Sequence, residues 1–345
     1  MRATVLVPIL AAAIGPAESA AVNDTITAVP GIRVGHYTLT ERPTGCTVIL
    51  ADLGAIAGVA QRGAAPGTRE TDLLQPANGG GRVNGIVLSG GSAFGLDSAN
   101  GAVRWLEERG AADRRVPIVP TAVLIDLWVG GKPSVRPGAD CGYRAAASAS
   151  RGAVVQGSVG AGAGATVGKL LGRDRAMKGG IGSAAIVQRN GLRVAAIVAV
   201  NALGDVIDPA TGAVIAGARA GDGSFADARR LLRSGAPTIL SSPQADDPAG
   251  NTTIAVVATN ARLTGAEASR VAQIADGGFA RAIAPIHTLG DGDTVFALAT
   301  GAWRGAADAA AIGALAADAV AAAIVRAVKR ATTAGGVPAA RDLPQ

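Results

Sequence analysis

Short apolar runs alternate with longer alanine-rich segments along this chain of 345 residues. The short runs are rich in valine and isoleucine and are bounded by glycine, proline or asparagine, which is typical of buried strands. The longer segments repeat apolar residues at helical spacing and predict helices over residues 93–108, 138–150, 264–282 and 306–330. Thr264 and Glu267 have the spacing of a capping box at the start of the third helix. The pattern therefore predicts a mixed α/β (α+β) domain, followed by a loose tail at residues 331–345.

The clearest hairpin signal lies at residues 186–200, where two apolar runs flank the pair Asn190-Gly191. Asn-Gly is the favoured pair for a two-residue hairpin turn. The second strand ends at Asn201. An asparagine at this place directs its amide into a site or serves only to form the next turn, and both interpretations stay open.

A polar loop at residues 241–249 leads into an apolar strand that begins at Thr252. A threonine hydroxyl is a weak nucleophile that needs a base beside it. An N-terminal threonine carries its own base, because an α-amino group titrates near pH 8, at about 7.7–8.0. We therefore hypothesise that the chain cleaves itself between Asn251 and Thr252. The alternative is that Thr252 is an ordinary strand residue.

Two carboxylates, Asp291 and Asp293, come just before a later apolar strand at residues 294–300. They could orient the hydroxyl and amine of Thr252, or they could belong to a solvated turn. The acids are superficially similar to the motif of haloacid-dehalogenase phosphatases, in which the strand precedes the acids, so that alternative is weaker. His287 is interpreted as structural, because two histidines in the whole chain leave little material for a catalytic triad.

The glycine-rich segment at residues 157–169 ends at Lys169 and is similar to a P-loop. Ala163 and Leu170 stand where that motif requires a glycine and a magnesium-binding hydroxyl, so nucleotide binding is not expected. The two cysteines, Cys46 and Cys141, lack the spacing and the histidine partners of a zinc site. They could pair only in an oxidising compartment. We expect neither a cofactor nor a metal.

Composition and charge narrow the function classes further. The net charge is +6, but the arginines are scattered without interleaved aromatics, so no nucleic-acid surface is expected. Residues 1–21 contain one arginine, an apolar stretch and then small residues, which predicts a cleavable export signal. The other apolar runs are interrupted by glycine, proline or charge, so stable membrane insertion is not expected. We expect a periplasmic or secreted protein, with the cytoplasm as the alternative.

Seven short segments carry a family likeness that extends from about residue 26 to 330. They are residues 29–36, 65–74, 88–97, 162–169, 200–202, 251–254 and 291–294. Together they resemble the L-aminopeptidase/D-esterase family, which includes the β-aminopeptidases and the nylon-oligomer hydrolases. The resemblance implies a single domain over residues 26–330 with a four-layer αββα sandwich, like that of N-terminal-nucleophile hydrolases. It also implies a homo-oligomer, and a precursor that cuts itself into two chains.

The same resemblance implies a role for each candidate residue. Thr252 would be the nucleophile, Asn201 the oxyanion donor, Lys169 a charged partner, and Asp291 and Asp293 the acids that orient Thr252. The Asn-Thr junction and the paired aspartates are closer to the nylon-oligomer branch than to the aminopeptidase branch, which has a serine nucleophile. We therefore expect an amide or peptide hydrolase for peptides, amino-acid amides or esters, or short ω-amino-acid oligomers. A non-catalytic binding protein of the same fold is the alternative.

Overall fold

The structure, a computed structural model, describes residues 23–78, 81–110, 116–241 and 250–343. The export signal predicted at residues 1–21 and the loop at 242–249 lie outside the described residues. The strands are β1 (Ile32–Thr38), β2 (Gly45–Gln61), β3 (Thr68–Arg69), β4 (Arg82–Ser89), β5 (Thr121–Val123), β6 (Thr166–Val167), β7 (Met177–Lys178), β8 (Gly180–Val187), β9 (Arg193–Asn201), β10 (Asp205–Ile207), β11 (Val214–Ala216), β12 (Thr252–Thr259), β13 (Ile283–Ala284) and β14 (Thr294–Ala299). The α-helices are α1 (Ser98–Glu107), α2 (Ala139–Ala147), α3 (Ala228–Ser234), α4 (Gly265–Ala275), α5 (Gly277–Ala282) and α6 (Ala309–Arg330).

One long strand, β2, joins two halves of a single sheet. The hydrogen-bonded order is β3-β5-β4-β2-β14-β12-β9-β8, and β1 also pairs with β2. The first part of β2 pairs with β1 and β4, and its second part pairs with β14. The register with β4 shifts between Leu50 and Ala55, which is the kind of irregularity that bends a strand. The sheet can therefore turn back over itself.

Three layers of buried apolar side chains separate the helices and the two halves of the sheet. Helices α1 and α2 pack on the first half through residues such as Val87, and α4 and α6 pack on the second half through residues such as Val257. Ile86 and Val256 belong to the cluster between the two halves. The result is a four-layer αββα sandwich, which confirms the expected fold.

Side chains alternate along β12 as the pleat of a strand requires. Ile254 and Val256 enter the cluster between the sheet halves, whereas Ala255 and Val257 enter the cluster with α4 and α6. This alternation places Thr252, at the start of the strand, on the side that faces the other half of the sheet.

Local predictions agree with the elements, with differences at their ends. The first predicted helix begins as a 3₁₀ turn at residues 92–97 before α1, and the third divides into α4 and α5. The capping box is present, with the Glu267 N–H donating to Thr264 Oγ1 at 3.3 Å and the Thr264 N–H donating to Glu267 at 2.7 Å. The hairpin is also present, with β8 and β9 paired from Val187 opposite Arg193.

The segment after α6 differs from the loose tail that we predicted. Val337 and Ala339 are buried, and the carbonyl of Pro338 accepts the N–H of Lys178 at 2.8 Å. Thr333 and Asp342 hydrogen-bond across the segment. The prediction was wrong through residue 343, because buried small apolar side chains and hydrogen bonds from Lys178 and Ser158 hold this segment on the domain.

Among the described residues, helix α6 is long and apolar enough to cross a membrane by length and composition. The sequence interpretation did not single it out. Its apolar side packs within the domain through residues such as Ile312, Val320 and Ile324, which belong to the core cluster with β9 and β12.

Cys46 on β2 and Cys141 on α2 are joined in a disulfide. The sequence had left this pairing open. The bond links the first half of the sheet to its covering helices.

Candidate active site

Three neighbouring strands bring the predicted site residues to one edge of the sheet. Strand β9 ends at Asn201, which pairs directly with Thr252 at the start of antiparallel β12. Strand β14 runs parallel to β12 with Thr294 opposite Ile254, so Asp293 lies at the same edge. The five candidates Thr252, Asn201, Lys169, Asp291 and Asp293 are all at most 3% exposed. The structure thus brings together every residue that the sequence proposed.

The Thr252 hydroxyl lies against the carbonyl group of the peptide bond between Asn251 and Thr252. Thr252 Oγ1 contacts the carbonyl oxygen of Asn251. The N–H of Gly292 donates to the same oxygen at 3.1 Å. An N–H aimed at a carbonyl oxygen stabilises negative charge that develops there. This junction therefore has both a hydroxyl and a backbone N–H donor at the bond between Asn251 and Thr252.

Gly292 must be a glycine for this approach. A Cβ at that position would lie 3.1 Å from Thr252 Oγ1 and 2.7 Å from the carbonyl oxygen of Ala65. The absence of a side chain lets the turn before β14 come against the junction.

Asn201 is held in one orientation by the donors around it. Its Oδ1 accepts from the N–H of Thr166 at 2.9 Å, from Thr166 Oγ1 at 3.2 Å and from Lys169 Nζ at 3.1 Å. Its Nδ2 donates to the carbonyls of Gly250 at 2.9 Å and Ile125 at 3.1 Å. The expected oxyanion donor therefore contacts the Gly250 carbonyl, one peptide unit before the bond between Asn251 and Thr252.

Lys169 reaches the same place from the loop that follows β6. Its Nζ donates to the Asn201 carbonyl at 2.9 Å and to the Gly250 carbonyl at 3.3 Å. Burial lowers the pKa of Lys169 to about 7, although the charge of Asp291 opposes this shift. A buried amine near neutrality is able both to donate hydrogen bonds and to accept a proton.

Asp293 contacts the residue after the proposed nucleophile. Its Oδ1 accepts the N–H of Thr253 at 2.7 Å. Its Oδ2 accepts the N–H of His287 at 3.1 Å and pairs with His287 Nδ1 at 2.9 Å. Asp293 therefore fixes the backbone beside Thr252.

Asp291 is bound on one side only. Its Oδ2 accepts from the N–H of Thr288 at 2.7 Å and from Thr288 Oγ1 at 2.6 Å, while Oδ1 is buried without a hydrogen-bond partner among the described residues. Burial and the neighbouring Asp293 raise the pKa of Asp291, and Lys169 opposes that rise. Among the described residues, neither acid side chain hydrogen-bonds to Thr252, so their expected orienting role stays a prediction.

His287 and Asp276 complete the site, and the sequence interpretation did not assign them to it. His287 Nε2 lies 3.1 Å from Asp276 Oδ2, while its Nδ1 faces Asp293. Burial alone lowers the pKa of His287, but hydrogen bonds to the two carboxylates and their charges raise it to about 10. The closeness of His287 to the acidic turn in the sequence was an available signal. Asp276, at the end of α4, carries no such signal.

Within the described ranges, no group of three histidine, cysteine, aspartate or glutamate side chains could hold a metal ion.

Comparisons with known proteins agree with this site. The model of peptidase family S58 matches residues 24–341. An uncharacterized aminopeptidase of Mycobacterium tuberculosis (strain ATCC 25618 / H37Rv) is 43% identical over an alignment of 351 positions. The match covers 93% of this chain and 98% of that protein. The 6-aminohexanoate-oligomer endohydrolase of Kocuria sp. (strain KY2) is 32% identical over an alignment of 321 positions. The match covers 87% of this chain and 84% of that protein.

A solved structure shows the same fold. The L-aminopeptidase D-Ala-esterase/amidase of Ochrobactrum anthropi, a variant of the Ntn hydrolase fold, matches with a TM-score of 0.65 at 20% identity. The match covers 90% of this chain and 86% of that chain. Family membership confirms the resemblance and favours a hydrolase over the binding protein and the phosphatase that the sequence left open. The chain belongs to peptidase family S58 and is a hydrolase of peptide or amide bonds, of the aminopeptidase type, on an Ntn-hydrolase-like αββα fold.

Proposed function

We propose that this hydrolase makes its own nucleophile by cutting the bond between Asn251 and Thr252. The observation that carries the proposal is the contact of Thr252 Oγ1 with the Asn251 carbonyl, whose oxygen also accepts the N–H of Gly292.

Processing would begin with attack of Thr252 Oγ1 on the carbonyl carbon of Asn251. The hydroxyl loses its proton, the carbon–nitrogen bond breaks, and that nitrogen becomes the α-amine of Thr252 while an ester joins Asn251 to Oγ1. Water then hydrolyses the ester, which leaves a carboxylate on Asn251 and restores the hydroxyl. The N–H of Gly292 stabilises the oxyanion in both steps. The proton that the hydroxyl loses ends on the leaving nitrogen. Lys169 Nζ holds the neighbouring Gly250 carbonyl at 3.3 Å.

In turnover, the same hydroxyl would attack the carbonyl of a substrate amide and form an ester with its acyl group. The α-amine of Thr252 takes the hydroxyl proton and returns it to the leaving amine, and water then hydrolyses the ester, which releases the acid and restores the hydroxyl. In the uncut chain Asn201 Nδ2 and Lys169 Nζ hold the carbonyl of Gly250. Departure of the segment before Thr252 would release these donors for the acyl part of the substrate.

We further propose short peptides, amino-acid amides or esters, or ω-amino-acid oligomers as substrates. The name of the Kocuria relative supports an oligomer of an ω-amino acid. A pocket of about 420 Å³ also adjoins the site, and Ile125, Leu127 and Trp128 are among its lining residues. Ile125 connects it to the site, because its carbonyl accepts from Asn201 Nδ2. The apolar part of this pocket, which Ser92 and Arg173 also line, suits an aliphatic acyl chain.

Export and self-association complete the proposal. The disulfide between Cys46 and Cys141 supports a periplasmic or secreted location, because such bonds persist in oxidising compartments.

We also propose a homo-oligomer, which light scattering on the purified protein would detect.

The first test is the denaturing intact mass of the wild type beside Thr252→Ala and Thr253→Ala. We expect two fragments in the wild type, the second beginning at Thr252, and one uncut chain in Thr252→Ala. Thr253→Ala is the matched control, because it keeps the backbone N–H that Asp293 accepts and alters only the next hydroxyl. A wild type that stays whole, or a Thr252→Ala chain that is cut, would contradict the proposed nucleophile.

Substrate class requires a second assay on the processed protein. Release of amine is measured from α-aminoacyl amides, D-aminoacyl amides and 6-aminohexanoate oligomers at equal concentration. We expect hydrolysis of at least one class by the wild type and none by Thr252→Ala.

A further inference from the structure

His287 is held in an uncommon backbone conformation between two carboxylates. Its φ is +58°, in the left-handed region that residues other than glycine seldom adopt. The imidazole lies between Asp276 Oδ2 and Asp293 Oδ2, and the His287 N–H donates to the same oxygen of Asp293. Surrounding structure must hold such a residue in place, which points to a specific task for it.

Asp276 anchors this arrangement to the core. It lies at the junction of α4 and α5, and its side chain is 9% exposed, against 25% for His287 and none for Asp293. The ring of His287 also lies near Phe279 of α5, with 6.2 Å between centroids. Helix α4 packs on β2 and α6, so Asp276 is attached to one of the main layers of the fold.

The hydrogen bonds continue from His287 to the proposed nucleophile. Asp293 accepts from His287 on one oxygen and from the N–H of Thr253 on the other. Thr253 is bonded directly to Thr252, so displacement of Asp293 would shift the hydroxyl and the new amine. A displacement on the scale of 1 Å at a reacting group can reduce a rate by about 10²-fold.

We propose that His287, supported by Asp276, is a positioning residue that fixes Asp293 against the Thr253 N–H and thereby orients Thr252 for self-cleavage and turnover. The inference rests on the proposed function, because it takes Thr252 as the nucleophile.

The pH profile of kcat/KM depends on the charges around His287, so it provides a measurement that a merely structural role would not affect. The charged groups that face His287 are Asp276 from the α4–α5 junction and Asp293 from the turn before β14, with Asp291 and Lys169 beyond Asp293. Loss of the imidazolium leaves excess negative charge near the α-amine of Thr252, which raises the pKa of that amine. Loss of the Asp276 charge acts in the opposite direction. Because the free amine is the base, the acid limb of kcat/KM reports both changes.

The experiment compares the wild type, His287→Gln, Asp276→Asn and His36→Gln. For His287→Gln we expect slower processing, a fall in kcat of about 10²-fold with KM little changed, and an acid limb moved to higher pH by roughly 0.5–1 unit. For Asp276→Asn we expect a smaller loss of kcat and a limb moved to lower pH. His36, on β1 in the other half of the sheet, is the control and should keep wild-type processing and kcat.

Two results would overturn the inference while the proposed function stands, provided that the wild type is cut at Thr252. One is wild-type kcat and an unmoved acid limb in His287→Gln. The other is a loss of kcat in both variants without any movement of the limb, which would show a purely structural role. If His287→Gln does not fold, the isosteric Asp276→Asn tests the inference. The acid limb of its kcat/KM profile must then move to lower pH. An uncut, inactive wild type would refute the proposed function first, and the inference with it.

Discussion

Replacement of Lys169 by methionine should remove function without loss of stability. Lys169 is fully buried, and its three hydrogen bonds go to the Asn201 carbonyl, Asn201 Oδ1 and the Gly250 carbonyl. Methionine has a similar length and packs well in irregular apolar spaces. Two of the three acceptors keep other donors, because Thr166 still bonds Asn201 Oδ1 and Asn201 Nδ2 still bonds the Gly250 carbonyl.

The expected change in unfolding free energy follows from the pKa of the buried Lys169 amine. Burial lowers the pKa of Lys169 from 10.5 to about 7 in the folded chain. At pH 7 the unfolded chain holds that proton fully and the folded chain holds about half, which costs on the order of 4 kcal/mol of stability. Loss of the hydrogen bonds costs about 1–2 kcal/mol in return. We therefore expect Lys169→Met to gain about 2–3 kcal/mol at pH 7.

The pKa of Lys169 also fixes how the stability difference between the variant and its parent changes with pH. Between about pH 7 and 10.5 the unfolded state binds more protons at Lys169 than the folded state, so this contribution to stability rises with pH. Methionine does not titrate. The advantage of the variant should therefore shrink by about 2 kcal/mol between pH 7 and pH 9.

The assay is urea unfolding of Thr252→Ala and of Thr252→Ala with Lys169→Met, so that both chains stay uncut. Unfolding free energies are compared at pH 7, 8 and 9, with equal m-values as the condition for the comparison. The contribution of His287, whose raised pKa makes it lose stability over the same range, cancels in the difference. A variant less stable than its parent by more than about 1 kcal/mol, or a difference that is constant with pH, would refute the reasoning. Lys169→Met with Thr252 intact should fail to process.

Three further predictions address the oxyanion donors Asn201 and Gly292 and the histidine His36. Asn201→Ala should lower kcat by about 10²–10³-fold with the fold retained, which steady-state kinetics and near-UV circular dichroism check; unchanged turnover would remove Asn201 from the mechanism. Gly292→Ala should slow processing at least about 10-fold, because the new Cβ would crowd Thr252 Oγ1, whereas Gly277→Ala has open space around its Cβ and should process normally in the same gel time course. Burial lowers the pKa of His36 to about 4, so the unfolded chain binds more protons between pH 6.5 and 4 and stability is lost as pH falls through this window. From urea titrations, the loss of unfolding free energy between pH 7 and pH 4.5 should be about 2 kcal/mol smaller in His36→Gln than in the wild type, and an equal loss in both proteins would contradict this assignment.

The elements of the fold could be predicted where the determinants are local. The capping box of Thr264 and Glu267 and the apolar alternation along β12 each depend on residues a few positions apart. For the same reason Asn201 and Thr252 could be recognised as strand ends before the strands were paired. The family resemblance added roles for them and for Lys169, which spacing alone did not supply.

The boundaries and the tail show the limit of local patterns. Whether a helix continues through Asp276 depends on its neighbours in space, and there the carboxylate turns towards His287. Val337 and Ala339 look too few to order a tail, but the Lys178 N–H of β7 donates to the Pro338 carbonyl between them, and both side chains are buried.

The sequence by itself determined the main strands and helices, apart from their boundaries, and which polar side chains stand at their ends, because both depend on short-range patterns. The tertiary structure decided which ends meet. Pairing of β12 with β9 and β14 joins Thr252 to Asn201 and to the acidic turn, and folding of the loop after β6 brings in Lys169. Contacts between residues so distant in the chain arise from sheet order and close packing, which no short stretch of sequence encodes.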